Sequence, residues 1–218
     1  MFLVELCGKK MNIVLATHNR HKIRELVPLL EQWGIKVLTL EQFPEIGELE
    51  ESEATILDNA LMKARQVNKV TTLPSLADDT GLEVDALNGQ PGVRSSRWAG
   101  LNATYEDNVN KLLAELGSLP TEERTARFRT VLAFVNCTHE FTVEGSLAGR
   151  ITHAPRGTNG FGYDPVFLVP SLQKTFAELS TEEKNRISHR GQALQKFHKL
   201  LPRIVEPTPQ LLTEEHSL

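Results

Sequence analysis

The chain has 218 residues and a mass of 24.4 kDa, which suits one α/β domain or two closely packed lobes with a real core. A formal net charge of −4 and a pI near 6.0 exclude a global basic field for a nucleic-acid backbone, so any anionic ligand must be bound locally. Two cysteines, Cys7 and Cys137, lie outside any C-x-x-C pattern and no apolar run reaches membrane length. The expectation is a soluble protein in a reducing, cytoplasmic setting.

Residues 1–11 read as an extension ahead of the first element. Asn12 to Ala16 is a short apolar run of the kind that forms a buried strand, and Thr17-His18-Asn19-Arg20-His21-Lys22 follows it directly. A helix then opens, with Asn19 as its cap, Ile23, Leu26, Val27, Leu30 and Trp33 at helical spacing, and Gly34 as its stop. Pro28 in its interior predicts a kink. A helix N-terminus exposes N–H groups and partial positive charge suited to phosphate, and here Arg20, Lys22, the Thr17 hydroxyl and the Asn19 carboxamide add to it. The loop has none of the glycines of a P-loop, so the pattern is equally that of a structural junction. His18 and His21, without cysteine or a third ligand, do not make a zinc site.

A second strand is predicted over Ile35 to Leu38, then an acidic loop carrying Glu45, Glu48, Glu50, Glu51 and Glu53. Thr55 caps a helix whose buried stripe is Ile56, Ala60, Ala64 and Val67, and which carries Lys63. Together the loop and helix could present a metal-binding carboxylate and an ammonium to one cavity; a plain surface charge run has the same composition.

Ser75 to Val84, SLADDTGLEV, is the stretch that organises the chain. Small and apolar residues run into two adjacent carboxylates and a Thr-Gly break, which reads as a buried strand delivering acid to a loop mouth. Successive strand residues point to opposite faces, so Asp78 and Asp79 cannot both serve one site as simple strand residues: one is chemical and the other supportive. Asp-Asp-Thr-Gly is also good chemistry for a solvated turn.

Asn88 to Gly92 reads as a turn, and Val93 to Gly100 is a lid or edge segment whose role stays open. A helix is predicted over 104–116. Strands are predicted over Arg127 to Val135 and Glu140 to Ser146 as an antiparallel pair, which makes the sheet mixed. Between Arg156 and Phe167, glycines around Phe161 and Tyr163 let the backbone approach a ligand while an aromatic ring offers a flat face. A capped short helix starts at Ser180, and a final helix entered at His189 and Arg190 runs through Leu201. From Pro202 the tail has no pattern.

Four segments, ATHNRHK (16–22), ADDTGL (77–82), GFGYDP (160–165) and SHRGQAL (188–194), occur in the order and spacing of the inosine/xanthosine triphosphate pyrophosphatase family, which the chain resembles from about residue 12 to 201. The resemblance implies an elongated two-lobed α/β fold: a long mixed β-sheet flanked by helices, with the active site in the cleft between the lobes. It implies a single domain over 12–201 and Mg²⁺-dependent hydrolysis of ITP, dITP and XTP to the monophosphate and pyrophosphate, in a cytoplasmic homodimer.

Carried over position by position, the family's T-x-N-x-x-K phosphate loop falls on Thr17, Asn19 and Lys22, with His18, Arg20 and His21 between them. Its acidic loop falls on Glu50 and Glu51, with Glu51 favoured as metal ligand, and its helix lysine on Lys63. Asp79 is assigned to Mg²⁺ binding and water activation, Asp78 to support and Thr80 to substrate contact. The base pocket falls on Phe161, Gly162, Tyr163, Asp164, Lys184, His189 and Arg190, with Phe161 stacking on the purine and the donors of His189 and Arg190 reading its 6-keto group. His18 stands where many relatives have glycine. The alternatives are a Maf-type nucleotide pyrophosphatase with another base preference, a non-catalytic nucleotide sensor and a nucleic-acid binding module. The SHRG segment argues against the first, the intact Asp79, Lys22 and Lys63 against the second, and the net acidity against the third.

Overall fold

The computed structural model describes residues 11–205; the expected N-terminal extension, apart from Met11, and the tail beyond 205 lie outside the described residues. In chain order the elements are β1 (Asn12–Leu15), α1 (Arg20–Glu31), β2 (Lys36–Thr39), α2 (Ile56–Thr71), β3 (Ser75–Val84) and β4 (Pro91–Gly92). They continue with α3 (Tyr105–Leu116), β5 (Thr125–Val135), β6 (Glu140–Ile151), β7 (Phe167–Val169), β8 (Lys174–Thr175), α4 (Thr181–Ile187) and α5 (His189–Val205). The eight strands form one open sheet in the order β2-β1-β3-β5-β6-β7-β8, with β4 pairing on β3. β1 is parallel to β2 and to β3, and the remaining pairs are antiparallel, so the sheet is mixed as expected.

Alternation along the strands distributes the core. Leu76, Leu132 and Phe134 pack with α1 and α5 on one face, while Ala77, Val131, Ala133 and Val135 pack with α2 on the other. Toward the far end, Leu82, Val84 and Phe128 join α3 and the segment around Phe167 and Phe176 in a separate cluster, the second lobe. Arg124 is fully buried there with no carboxylate partner among the described residues; its guanidinium donates to the carbonyls of Ile151, Gly117 and Thr152 and so ties the start of β5 to the end of β6.

Several boundaries differ from the sequence reading. Thr80-Gly81 does not break the strand: β3 is paired with β5 in unbroken register from Ser75↔Val135 to Val84↔Ala126, so Asp79 lies in mid-strand and not at a loop mouth. A Cβ at Gly81 would stand 2.6 Å from the Gly92 carbonyl oxygen and 2.7 Å from Ile56 Cδ1, so this glycine marks a close approach instead of a turn. β5 and β6 run longer than predicted, α1 continues through Pro28, and α5 passes Leu201 and Pro202 to reach Val205. The segment after Asn88 is an edge strand and a 3-10 turn tied to the sheet: Ser95 Oγ accepts from the Leu82 N–H and donates to the Gly92 carbonyl.

α5 reaches the sheet over Gly145, where a Cβ would lie 2.0 Å from the His189 carbonyl oxygen and 2.6 Å from the Ala193 nitrogen. Both are backbone atoms of a packed helix and cannot swing aside. Gly145→Ala is therefore expected to displace the start of α5 and to lose roughly 1–3 kcal/mol of stability by overpacking. Urea denaturation measures this, and a wild-type midpoint would show that the helix start adjusts freely.

Candidate active site

β1 pairs with β3 only at Ser75 and Leu76, and β4 only at Leu82 and Glu83, so between them one edge of β3 faces a cleft instead of a strand. The cleft has a volume of about 620 Å³ and is lined from both lobes. At this opening the Asp78 carbonyl accepts from two ammonium groups, Lys22 Nζ at 3.1 Å and Lys63 Nζ at 3.0 Å, which replace the missing ladder bonds.

On the α2 face, Lys63 is buried and donates to Asp79 Oδ1 at 2.7 Å and Glu51 Oε1 at 2.9 Å. Burial alone would lower the lysine's pKa, but Asp79 and Glu51 reverse that and hold it protonated. Burial keeps the Asp79 carboxyl above the usual range despite Lys63, whereas at Glu51 the pull of Lys63 outweighs desolvation and lowers it. Arg97 closes the group, donating to the Glu51 carbonyl at 3.1 Å. Glu50 is not part of it: the side chain is exposed and lines a shallow depression beside Asp58 and Arg65. Neighbours in an extended segment point apart, so only one of the two glutamates can face Lys63.

On the α1/α5 face, Asp78 pairs with Lys22 and with Arg190 Nε at 2.9 Å. Arg190 also pairs with Glu25 and donates to Thr80 Oγ1 at 3.2 Å. Lys184 bridges Glu25 Oε1 at 2.8 Å and Asp164 Oδ2 at 2.6 Å. All of these but Lys22 and Thr80 are buried. Desolvation would raise Asp78 and Glu25, but Arg190 with Lys22 carries Asp78 well below the usual carboxylate range, and Arg190 with Lys184 lowers Glu25. At Asp164 burial wins over Lys184 and the pKa is raised. The structure thus commits Arg190, expected to read the base, to two carboxylates and a hydroxyl.

The phosphate loop is partly self-satisfied. Asn19 caps α1 as predicted, its side chain accepting from the N–H groups of His21 and Lys22, so two donors expected for an anion are already used. Thr17, His18, Asn19 and Lys22 line the cleft. Arg20 is exposed and does not, because the first turn of α1 points it outward. His18 Nε2 sits 2.7 Å from the Gly47 carbonyl, tying the loop to the acidic segment.

On the opposite wall, Phe161 is held by its own N–H donating to Asp164 Oδ2 at 2.8 Å, and Lys184 Nζ stands 5.1 Å from its ring centroid. Gly162 lines the cleft at positive φ. Tyr163 is buried in the second-lobe core with its hydroxyl donating to the Ser95 carbonyl, so Phe161 alone of the two offers a face. His189 is buried and stacked on Phe128 at 4.6 Å, and its Nδ1 has no partner among the described residues. Burial, then Arg190 and Lys184, hold its pKa well below the ordinary value, leaving a neutral ring with hydrogen-bonding capacity toward the cleft.

Sequence reading missed Glu25, Arg97 and Tyr105. Glu25 carried a signal, since an acid three residues after Lys22 shares its helix face. Arg97 and Tyr105 carried none, because only tertiary packing brings 3-10 turn and α3 start to the cleft.

Comparison with known proteins follows the same outline. Residues 13–200 match the sequence profile of the Ham1 family. A dITP/XTP pyrophosphatase of Thermoanaerobacter pseudethanolicus is 47% identical over 196 residues, 90% of this chain and 99% of that one. That of Geobacter sulfurreducens is 50% identical over 183 residues, 84% of this chain and 92% of that one. A solved HAM1 protein structure from Coxiella burnetii superposes with a TM-score of 0.81 at 44% identity, covering 88% of this chain and 99% of that one.

The ion cluster yields a stability prediction. Arg190→Ala strands Asp78 and Glu25 and is expected to lose about 3–5 kcal/mol, as other buried pairs do when one partner is removed. Because both acids have lowered folded pKa values, their contribution is full above the unfolded value near 4 and is lost as pH falls through the folded values. Asp79 and Asp164, raised, act in the opposite direction. Urea melts of both proteins from pH 7 to pH 3 should show a large gap at neutral pH that narrows in acid; a gap under 1 kcal/mol at pH 7 would mean the cluster is hydrated.

Proposed function

The chain belongs to the Ham1 family, and from that premise we infer that it is an enzyme hydrolysing non-canonical purine nucleoside triphosphates, dITP, XTP and ITP, to the monophosphate and pyrophosphate. The observation that carries this reading is the convergence of Lys22, Lys63, Lys184 and Arg190 on one cleft beside the aromatic face of Phe161 and a neutral His189. Cations suit a polyphosphate, a flat ring suits a base, and a neutral imidazole in a buried wall can discriminate between a keto and an amino group.

In the reaction, water attacks the α-phosphorus, the α–β anhydride bond breaks, and pyrophosphate leaves with the bonding electron pair. Asp79 takes the proton of the attacking water, and its raised pKa makes it a stronger base than an ordinary carboxylate. Lys63 holds the Asp79 carboxylate in place, and Lys22 and Lys63 meet charge that develops on the phosphate oxygens. Phe161 stacks on the base and His189 reads its edge. Arg190 acts as a positioning residue, holding Asp78 and through it the carbonyl that fixes both lysines.

Glu51 and Asp79 are the residues that would hold Mg²⁺. They are hard oxygen donors that converge on one ammonium, and Mg²⁺ is usually held by one or two carboxylates together with substrate phosphates. Among the described residues no group of three or more His, Cys, Asp or Glu side chains forms a cage of its own, which suits an ion that arrives with the nucleotide. When bound, it neutralises charge on the leaving pyrophosphate. A homodimer in the cytoplasm completes the proposal: an exposed Cys137 fits a reducing setting, and no described helix is long and apolar enough to cross a membrane.

Pyrophosphate release with ITP, dITP, XTP, GTP and ATP should favour the first three, and uniform rates across the panel would overturn the base assignment. Asp79→Asn, folded by circular dichroism, is expected to lose roughly 10²–10⁴-fold in kcat, and near-normal turnover would remove Asp79 from the chemistry. Chelation should abolish hydrolysis and added Mg²⁺ restore it; full activity in excess chelator would end the metal assignment.

A further inference from the structure

Of the crowded acids ahead of α2, the fold presents Glu51 to Lys63 and leaves its neighbour Glu50 outside, although nothing regular holds the segment that carries them. From Gly47 to Glu53 the chain is neither helix nor strand, and no backbone group there bonds to another backbone group among the described residues. Side chains hold it instead. His18 Nε2 meets the Gly47 carbonyl at 2.7 Å, Gln66 donates to that of Glu48 at 3.2 Å, and Asn59 accepts from the Glu53 N–H at 3.0 Å and donates to its carbonyl at 3.3 Å. Between Glu48 and Glu53 one side chain holds the backbone among the described residues: Arg97, whose Nη2 donates to the Glu51 carbonyl at 3.1 Å. Its Nη1 stands 3.5 Å from Glu51 Oε2 while Lys63 takes Oε1, so one planar fork grips both the peptide and the carboxylate of Glu51. Leu49 packs against the first-lobe core, but an apolar contact does not fix how the peptide two residues on is turned.

The arm that does this is itself firmly mounted. Arg97 ends the 3-10 turn Ser95–Arg97, and the carbonyls around it are taken by side chains of the second lobe and α3. Tyr163 donates to the Ser95 carbonyl at 3.0 Å, Asn108 donates to that of Ser96 at 3.1 Å and accepts from the Ala99 N–H at 2.7 Å, and Lys111 donates to that of Trp98 at 2.8 Å. A turn clamped by one lobe thus reaches an otherwise unsupported segment of the other. Arg97 does not line the cleft, whereas Glu51 does, so any effect of Arg97 on the reaction passes through Glu51.

Resting on the reading of Glu51 as the metal-side carboxylate, we propose that Arg97 is a positioning residue: it pins the Glu51 peptide, so that Glu51 and not Glu50 faces Lys63, and it does so from the second lobe. Neighbours in an extended segment point apart, and a segment free to turn about its own axis would offer either acid to the cleft. The two-point grip removes that freedom. The stretch from Val93 to Gly100 is then neither a lid nor a bare edge but the bracket that carries this pin.

A mutant cycle and a proteolysis assay test the pin. Arg97→Ala, folded by circular dichroism, should lower kcat/KM for ITP about tenfold, the scale of one hydrogen bond from a charged donor. In a Glu51→Gln background the same change should cost less than about twofold, because the aim of residue 51 no longer matters once its charge is gone. Arg97→Lys keeps the charge but has one ammonium for two contacts, so it should lose activity as well. With neither metal nor nucleotide present, a Glu-specific protease should cut Arg97→Ala between Glu48 and Glu53 faster than the wild type, since the released backbone can enter a protease site. An equal loss in both backgrounds, full activity in Arg97→Lys, or an unchanged cutting rate would each overturn the proposal. Should Arg97→Ala fail to fold, Arg97→Lys carries both the cycle and the cutting assay. Should the wild-type chain not hydrolyse ITP at all, the proposed function fails, while the cutting rates still decide the pin.

Discussion

The cleft exists because one strand is left half-paired. β3 is bonded to β5 along its whole length, yet on its other edge β1 departs after Leu76 and β4 begins only at Leu82. An exposed edge carbonyl in a protein interior needs a donor, and here the Asp78 carbonyl takes two, Lys22 from α1 and Lys63 from α2. The same geometry sends consecutive carboxylates through opposite faces of the sheet, Asp78 toward α1 and α5 and Asp79 toward α2. Backbone and side chains thus gather cations from three helices around one peptide unit.

Such a gathering is costly without compensation. Each ion removed from water carries a penalty of several kcal/mol, recovered only with close geometry and satisfied hydrogen bonds. The chain answers with an alternating network in which Glu25, Asp78 and Asp164 separate Arg190, Lys22 and Lys184, so that no cation is adjacent to an uncompensated one. A network of this kind does little for stability relative to an apolar core of the same volume. What it provides is donors already aimed, and aimed dipoles and charges are what a transferring phosphoryl group requires. Three separate apolar clusters, two against opposite faces of the first lobe and one in the second, supply the stability that the charged seam does not.

How much of this could be read in the sequence follows from the range of the interactions involved. Asn19, Thr55 and Ser180 were legible as caps because a cap is decided within four residues. That Asp78 and Asp79 leave the sheet by opposite faces was legible from strand alternation, and the separation of Glu51 from Glu50 was favoured although the residues alone could not settle it. Reading Thr80-Gly81 as a break failed because the ladder of a distant strand, β5, overrides local turn chemistry, and because Gly81 is required by the approach of Ile56 and Gly92. The hydrogen-bond commitments of Arg190 and Tyr163 were not legible for a related reason. Both are residues whose free form suits a ligand, and only the fold reveals that their polar atoms are already committed to Glu25, Asp78 and Ser95.

The remaining question is how a polyanion enters a cleft whose cations are all paired. Exchange is easiest where the displaced carboxylate can return to water, because its desolvation cost is then recovered. Among the partners of the cleft lysines, Glu51 is the most exposed, its side chain 37% accessible against 9% for Asp79 and 0% for Asp78. Asp78 is least able to leave, since Arg190 and Lys22 would both be stranded with it. Contacts on the Glu51 side of Lys63 are therefore the less costly ones to exchange, and those on the Asp78 side the most costly. The division runs within the first lobe: the acidic segment and the strand carrying Asp78 and Asp79 share one apolar cluster, and within it Glu51 is the carboxylate that water can reach.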